Sequence, residues 1–166
     1  MSTTLLYLKR GKEESLKRFH PWIFSGAVQR IDGNPNEGEI VDVYTWQIGS
    51  IAVRVLTFEN EDIDIDFWKT RLQTALNVRR SIGVSGVENN NTYRLVHGEG
   101  DCLPGLIIDI YGQNAVMQAH SVGMHLDRNI IAEALCSVMG GELKSIYYKS
   151  ETTLPFKAGL GQENGF

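Results

Sequence analysis

The chain has 166 residues, 42% of them apolar and 22% charged, with a net charge of −4. That suffices for one ordinary domain or two small ones around a real core, and it excludes a disordered chain. There is no apolar run long enough to span a membrane, no signal-peptide core at the start, and no close cysteine spacing. Cys102 and Cys136 are therefore expected as reduced thiols in a cytoplasmic protein rather than as part of a disulfide framework.

The first block reads as short strands. "TTLLYLKRG" is a strand ending at a turn glycine, "HPWIFSGAVQRID" carries an apolar run after Pro21, and "GEIVDVYT" reads as a third strand. "IDGNPNEGE" between the last two is turn chemistry. "SIAVRVLTF" alternates β-branched residues on one face, so the block predicts a small barrel or sandwich. In "DIDFWKTRLQTALNVRRSIG", Ile65, Trp68, Leu72, Ala75 and Leu76, with Arg79 further on, recur at three- and four-residue steps. That spacing predicts a helix capped by Asp64 or Asp66 and ended by Gly83. After the loop "GVSGVENNNT" come strands "YRLVH", "GLIIDIY" and "AVMQAHS". A helix over about 126–138 follows, presenting Leu126, Ile130, Ala134, Leu135 and Val138 and closed by Gly140-Gly141. The strand "SIYYKS" comes last. The whole is an α+β chain: a small β unit, a linking helix, and a compact unit with β-β-β-α-β order.

His20, His97, His120 and His125 have no metal-ligand spacing and no cysteine close enough to complete a local set, so no metal site is expected. Cys102 follows Asp101, whose charge works against a thiolate, and a structural cysteine is the better reading. "GLGQENG" near the end is one residue too wide for a dinucleotide fingerprint, and no phosphate-binding loop occurs. No catalytic residue is assigned.

What remains is nucleic-acid chemistry. Residues 1–30 hold six cations, Lys9, Arg10, Lys12, Lys17, Arg18 and Arg30, against Glu13 and Glu14, a net of +4 that leaves −8 for the rest. "KRGKEESLKRFHPWIFSG" interleaves cations, which answer phosphates, with aromatics, which can stack an unpaired base. The candidate RNA-binding residues are Lys9, Arg10, Lys12, Lys17, Arg18, His20, Trp22 and Arg30. Trp22 and Phe24 alternate on one strand, and at least one of them is expected in the core. The competing reading of the cluster is an ordinary solvated charged face. In "HGEGDCLPGL" the glycines and Pro104-Gly105 make a tight turn that Asp101 can cap through its side chain.

"LKRGKEESLKRFHPWIFSGAV", "IAVRVLTF" and "YRLVHGEGDCLPGLIIDIYG" together resemble the N-terminal part of bacterial large-subunit ribosomal-RNA cytosine-5 methyltransferases. The resemblance runs from about Leu5 to Ser150 and rests on the "HPW-aliphatic-FSGA" and "LPGL-aliphatic-aliphatic-D-x-Y" signatures. It implies a PUA-like RNA-binding barrel over 1–62, a linking helix over 63–83, a small α+β middle domain over 84–160, and at 161–166 the start of a connection to a Rossmann-like methyltransferase domain. S-adenosylmethionine (SAM) would serve that further domain, with no cofactor held here, and the chain alone is not expected to catalyse a reaction. Ribosomal RNA is the implied partner. Arg94, Glu99 and Asp101 are the implied candidates for an interdomain face or the RNA path. Two stretches, near Thr45–Trp46 and Leu160–Gly161, are shorter than the family pattern. A stand-alone RNA-binding or assembly adaptor is the alternative.

Overall fold

The computed structural model describes residues 4–41, 44–45, 51–154 and 164–165. The short stretches near Thr45–Trp46 and Leu160–Gly161 and the connection expected over 161–166 lie outside the described residues, apart from Thr45, Asn164 and Gly165. The chain divides into two compact units, Met1–Glu61 and Asp62–Phe166.

The first unit contains β1 (Leu5–Leu8), the single-turn helix α1 (Glu14–Lys17), β2 (Trp22–Phe24), a 3-10 turn (Ser25–Ala27), β3 (Val28–Asp32), β4 (Ile40–Val41), β5 (Tyr44–Thr45) and β6 (Ile51–Arg54). Strand β1 pairs antiparallel with β3, β2 with β6, and β4 with β5. Among the described residues the pairings are therefore three two-stranded ribbons, not a closed ring. "GEIVDVYT", read as one strand, supplies both β4 and β5, which pair with each other. Leu6, Ile23, Ala52, Val53 and Val55 form the core, with Leu8, Leu16, Ala27, Val28 and Ile31 packed against it. On β2 the buried residue is Ile23, at 2% exposure, flanked by half-buried Trp22 and by Phe24 at 48%. The expectation that Trp22 or Phe24 enters the core is corrected: strand alternation gives the inward position to the aliphatic residue between them.

The second unit opens with α2 (Ile65–Ser81). Asp64 caps it, its carboxylate accepting the N–H groups of Asp66 and Phe67 at 2.9 and 3.0 Å. Phe67, Trp68, Leu72, Ala75 and Leu76 are buried, and the helix packs on α4 (Arg128–Val138) and on β7 (Thr92–His97). The helix read as a link between units is thus an integral layer of the second, because its apolar stripe is satisfied there. After a 3-10 turn (Gly98–Asp101) come β8 (Leu106–Tyr111) and β9 (Asn114–Ala119), then α3 (Val122–Leu126), α4 and β10 (Ser145–Tyr148). The sheet order is β10-β9-β8-β7, antiparallel except for the parallel pair of β9 and β10 that the two helices connect. Leu106, Ile108 and Ile110 face one side with Ala119, Met117 and Ala115 opposite them, and all six are buried. The single helix expected over 126–138 is two. Ser121 caps α3 by accepting the Met124 N–H, and Asp127 lies between the segments, outside both. Leu126 is 51% exposed, on the same side as exposed Asn129 and Glu133, while Ile131, Ala134 and Leu135 fill the interior.

Candidate nucleic-acid interface

Helix α1 is one turn long and owes little to intrinsic propensity. Its acidic first turn and basic last turn suit the helix dipole, and Leu16 anchors it to the core. The turn displays the cations of the sequence cluster but does not leave them equivalent. Lys17 is held by Glu14 at 2.6 Å and lies 3.8 Å from Glu13; the hydrogen bond and charge of Glu14 raise its pKa above the ordinary lysine value. Lys9 donates its N–H to the Ala27 carbonyl and its Nζ to the Gly26 carbonyl at 2.9 Å, which ties β1 to the 3-10 turn. Arg30 pairs with Asp32 at 3.0 Å, and its guanidinium lies 4.1 Å from the Tyr7 ring centre. Arg10, Lys12 and Arg18 are exposed; among the described residues none has a carboxylate within ion-pair distance, although the Arg10 charge acts on Glu13.

The aromatics divide in a similar way. The Trp22 N–H donates to His20 Nδ1 at 3.2 Å, and His20, Trp22 and Phe24 meet edge to face at centroid separations of 5.7 and 6.3 Å. Phe19, 72% exposed, meets Phe58, 48% exposed, at 5.2 Å in a T-shaped contact. Sequence reading placed Phe19 in the cluster but gave it no role, and it missed Phe58, 39 positions away, altogether.

In the second unit the carboxylate of Asp101 is engaged within the fold. Asp101, with a side chain only 5% exposed, takes Arg79 Nη1 and Nη2 at 2.5 and 2.6 Å and also accepts the His97 N–H at 2.6 Å. Arg79 Nε donates to the Arg94 carbonyl at 2.9 Å. One buried ion pair therefore pins α2 to the end of β7 and to the turn. Asp101 does cap the turn, but its carboxylate is fully engaged within the unit. Arg94 pairs bidentately across the ladder with Asp109 at 2.8 and 3.0 Å, which raises its pKa, and contacts His97 Nδ1 at 3.2 Å. Glu99 stands exposed on the turn. The register explains the Arg94 pair, since Arg94 lies directly opposite Asp109.

Buried chemistry in this unit centres on His125. It is 5% exposed, its Nδ1 lies 2.8 Å from the Tyr148 hydroxyl, and Arg128 Nη1 donates to its carbonyl at 2.8 Å. Burial first, then the Arg128 charge, lowers its pKa below the ordinary histidine value. A depression of about 480 Å³ between α4 and β10 is lined by Met117, Arg128, Cys136, Tyr148 and Gly165 among others. Among the described residues it brings together no base, nucleophile and orienting partner. Among the described residues no three histidine, cysteine or acidic side chains converge as a metal site, and no helix is long and apolar enough to cross a membrane.

Residues 6–58 match the family model of the PUA-like domain. Along nearly its whole length the chain is similar to "Ribosomal RNA large subunit methyltransferase I" of several bacteria. It is 38% identical to that of Aeromonas hydrophila over 176 residues, covering 96% of the chain and 42% of the relative. It is 34% identical to that of Vibrio cholerae over 178 residues, covering 98% and 43%. Both alignments are longer than the chain's 166 residues, so these relatives carry positions that the chain lacks. In fold, it resembles a solved protein described as a SAM-dependent methyltransferase from Streptococcus mutans, with a TM-score of 0.65 at 15% identity over 86% of this chain and 39% of that one. It also resembles a methyltransferase solved in complex with SAH, with a TM-score of 0.66 at 18% identity over 92% and 41%. The chain thus spans less than half the length of the curated relatives and the solved structures that it matches.

Proposed function

We propose that this chain is the RNA-positioning N-terminal part of a cytoplasmic SAM-dependent methyltransferase that acts on C5 of a cytosine in large-subunit ribosomal RNA. Residues 1–62 would be its PUA-like RNA-binding domain and 84–160 its middle domain, with SAM binding and methyl transfer assigned to a further domain. The observation that carries the reading is the pairing of that 34–38% similarity with an exposed cationic and aromatic surface inside the PUA-like segment. C5 methylation needs a thiolate that adds to C6 of the ring, and neither Cys102 nor Cys136 is given that role.

The chemistry of the surface fits phosphate recognition. Arg10, Lys12 and Arg18 project from the loop before α1 and from its C-terminal end, with no described carboxylate within ion-pair distance of them. An overall acidic protein that concentrates its cations on one segment steers a polyanion to that segment and repels it elsewhere.

The test is fluorescence anisotropy of the chain with a stem–loop from large-subunit ribosomal RNA across a salt series. Saturable binding is expected, with log affinity falling linearly in log salt. Replacing Arg10, Lys12 and Arg18 by glutamine should flatten that slope by about 2–3, at roughly 0.7–0.9 for each phosphate that is no longer neutralised. No binding at low salt, or an unchanged slope in the triple variant, overturns the proposal.

A further inference from the structure

Helix α1 ends in a way that singles out one side chain. The Phe19 N–H donates to the Leu16 carbonyl at 2.8 Å and the His20 N–H to the Ser15 carbonyl at 3.0 Å. This is the paired bonding of a Schellman stop, whose left-handed residue is usually glycine. Here that residue is Phe19, at φ 58°. A side chain with a Cβ is strained in that region, and an aromatic one has no local hydrogen bond to offset the strain. The residue is also 72% exposed, so burial offsets little of the strain. Strain held at a largely exposed position points to a use outside the fold.

The ring is not loose. It meets Phe58 edge to face at 5.2 Å, and Phe58 itself is 48% exposed. A T-shaped contact covers at most one face of one ring, so at least three of the four ring faces are free of that contact. Neither residue is part of the apolar core of Leu6, Ile23, Ala52, Val53 and Val55. Arg18 immediately precedes Phe19, and Arg10 and Lys12 lie just before the same helix; all three are exposed.

We infer that Phe19, braced by Phe58, is a stacking platform for one unpaired nucleobase, flanked by cations that take the adjoining phosphates. This deepens, and rests on, the RNA-binding reading. It specifies a single-stranded or splayed-out segment as the ligand, because a base inside a duplex has both faces occupied by its neighbours, whereas an unpaired base offers a free π face of whatever sequence. Charge complementarity favours a nucleic acid over an apolar protein partner for this patch.

Two RNA probes of equal length test it on the full chain: a hairpin with 2-aminopurine in an unpaired loop, and a fully paired duplex. The wild type should bind the hairpin more tightly and quench the 2-aminopurine. Phe19→Ala should weaken hairpin binding by about tenfold or more and abolish the quenching, while leaving duplex affinity unchanged. Phe19→Tyr, which keeps a π face, should restore both signals. Phe58→Ala should reduce quenching without altering duplex affinity, with circular dichroism used to confirm that each variant is folded. Equal binding of hairpin and duplex by the wild type, or quenching unaffected by Phe19→Ala, overturns the platform while the RNA-binding reading survives. Failure of the wild type to bind either RNA overturns both.

Discussion

Asp101 offers the sharpest test of whether the "HGEGDCLPGL" turn is architecture or site. Its carboxylate is buried and spends both oxygens inside the unit, on the Arg79 guanidinium and the His97 N–H. Asp101→Ala would strand a guanidinium whose side chain is only 13% exposed, and breaking a buried pair on one side costs about 3–5 kcal/mol. Set against a typical total of roughly 5–15 kcal/mol, that is a large share of stability. The midpoint of thermal unfolding, followed by circular dichroism, should fall by roughly 10 °C or more. Removing both charges at once, as Arg79→Met with Asp101→Leu, should recover much of the deficit, because an apolar pair of similar volume carries no stranded charge. RNA affinity of the folded Asp101→Ala protein should match that of the wild type. A destabilisation below about 1 kcal/mol, the range of an exposed pair, would refute the reasoning. So would a folded variant that no longer binds RNA.

Two further predictions rest on single residues. Asp64→Ala removes the acceptor for two N–H groups at the start of α2 and should lower stability by about 0.5–2 kcal/mol in urea titration, whereas Asp64→Ser should keep most of it. His125 has a folded-state pKa below its unfolded value, so the unfolded state takes up the proton more readily. Stability should be unaffected by this group above the ordinary histidine pKa and should fall as pH drops from there toward the depressed value. His125→Gln should shallow that acid-side decline of the urea midpoint, and an identical decline in both proteins would show that His125 does not cause it.

Local signals were legible in the sequence where one residue type admits one use. The three- and four-residue spacing of Trp68, Leu72, Ala75 and Leu76 specifies α2 and its buried stripe, and Asp64 marks its start. "GLIIDIY" and "AVMQAHS" were legible as strands, and in β8 and β9 the buried residues fall on every second position. What escaped was what the chain brings together from a distance. Arg79 lay on the periodic face of α2, but nothing in its own segment signals a partner 22 positions on. The same holds for Arg94 and Asp109, 15 apart, which only the register of β7 and β8 makes opposite. The break between α3 and α4 was hidden because no glycine or proline marks it: Asp127 both closes α3 and precedes α4. On the candidate interface, composition identified the cationic segment but could not separate cations held by a carboxylate, a carbonyl or a ring from those left exposed. Nor could it show that Phe19 occupies a glycine's place at the end of α1.

The most direct test of the central claim is a map of where RNA touches the chain. Amide chemical shifts of the isotope-labelled protein would be followed by NMR as a large-subunit ribosomal RNA stem–loop is added. The account predicts perturbations over residues 9–20 and at Phe58, with the turn at Glu99 and Asp101 unmoved. Perturbations centred on that turn and on Arg94, with residues 9–20 silent, would contradict it.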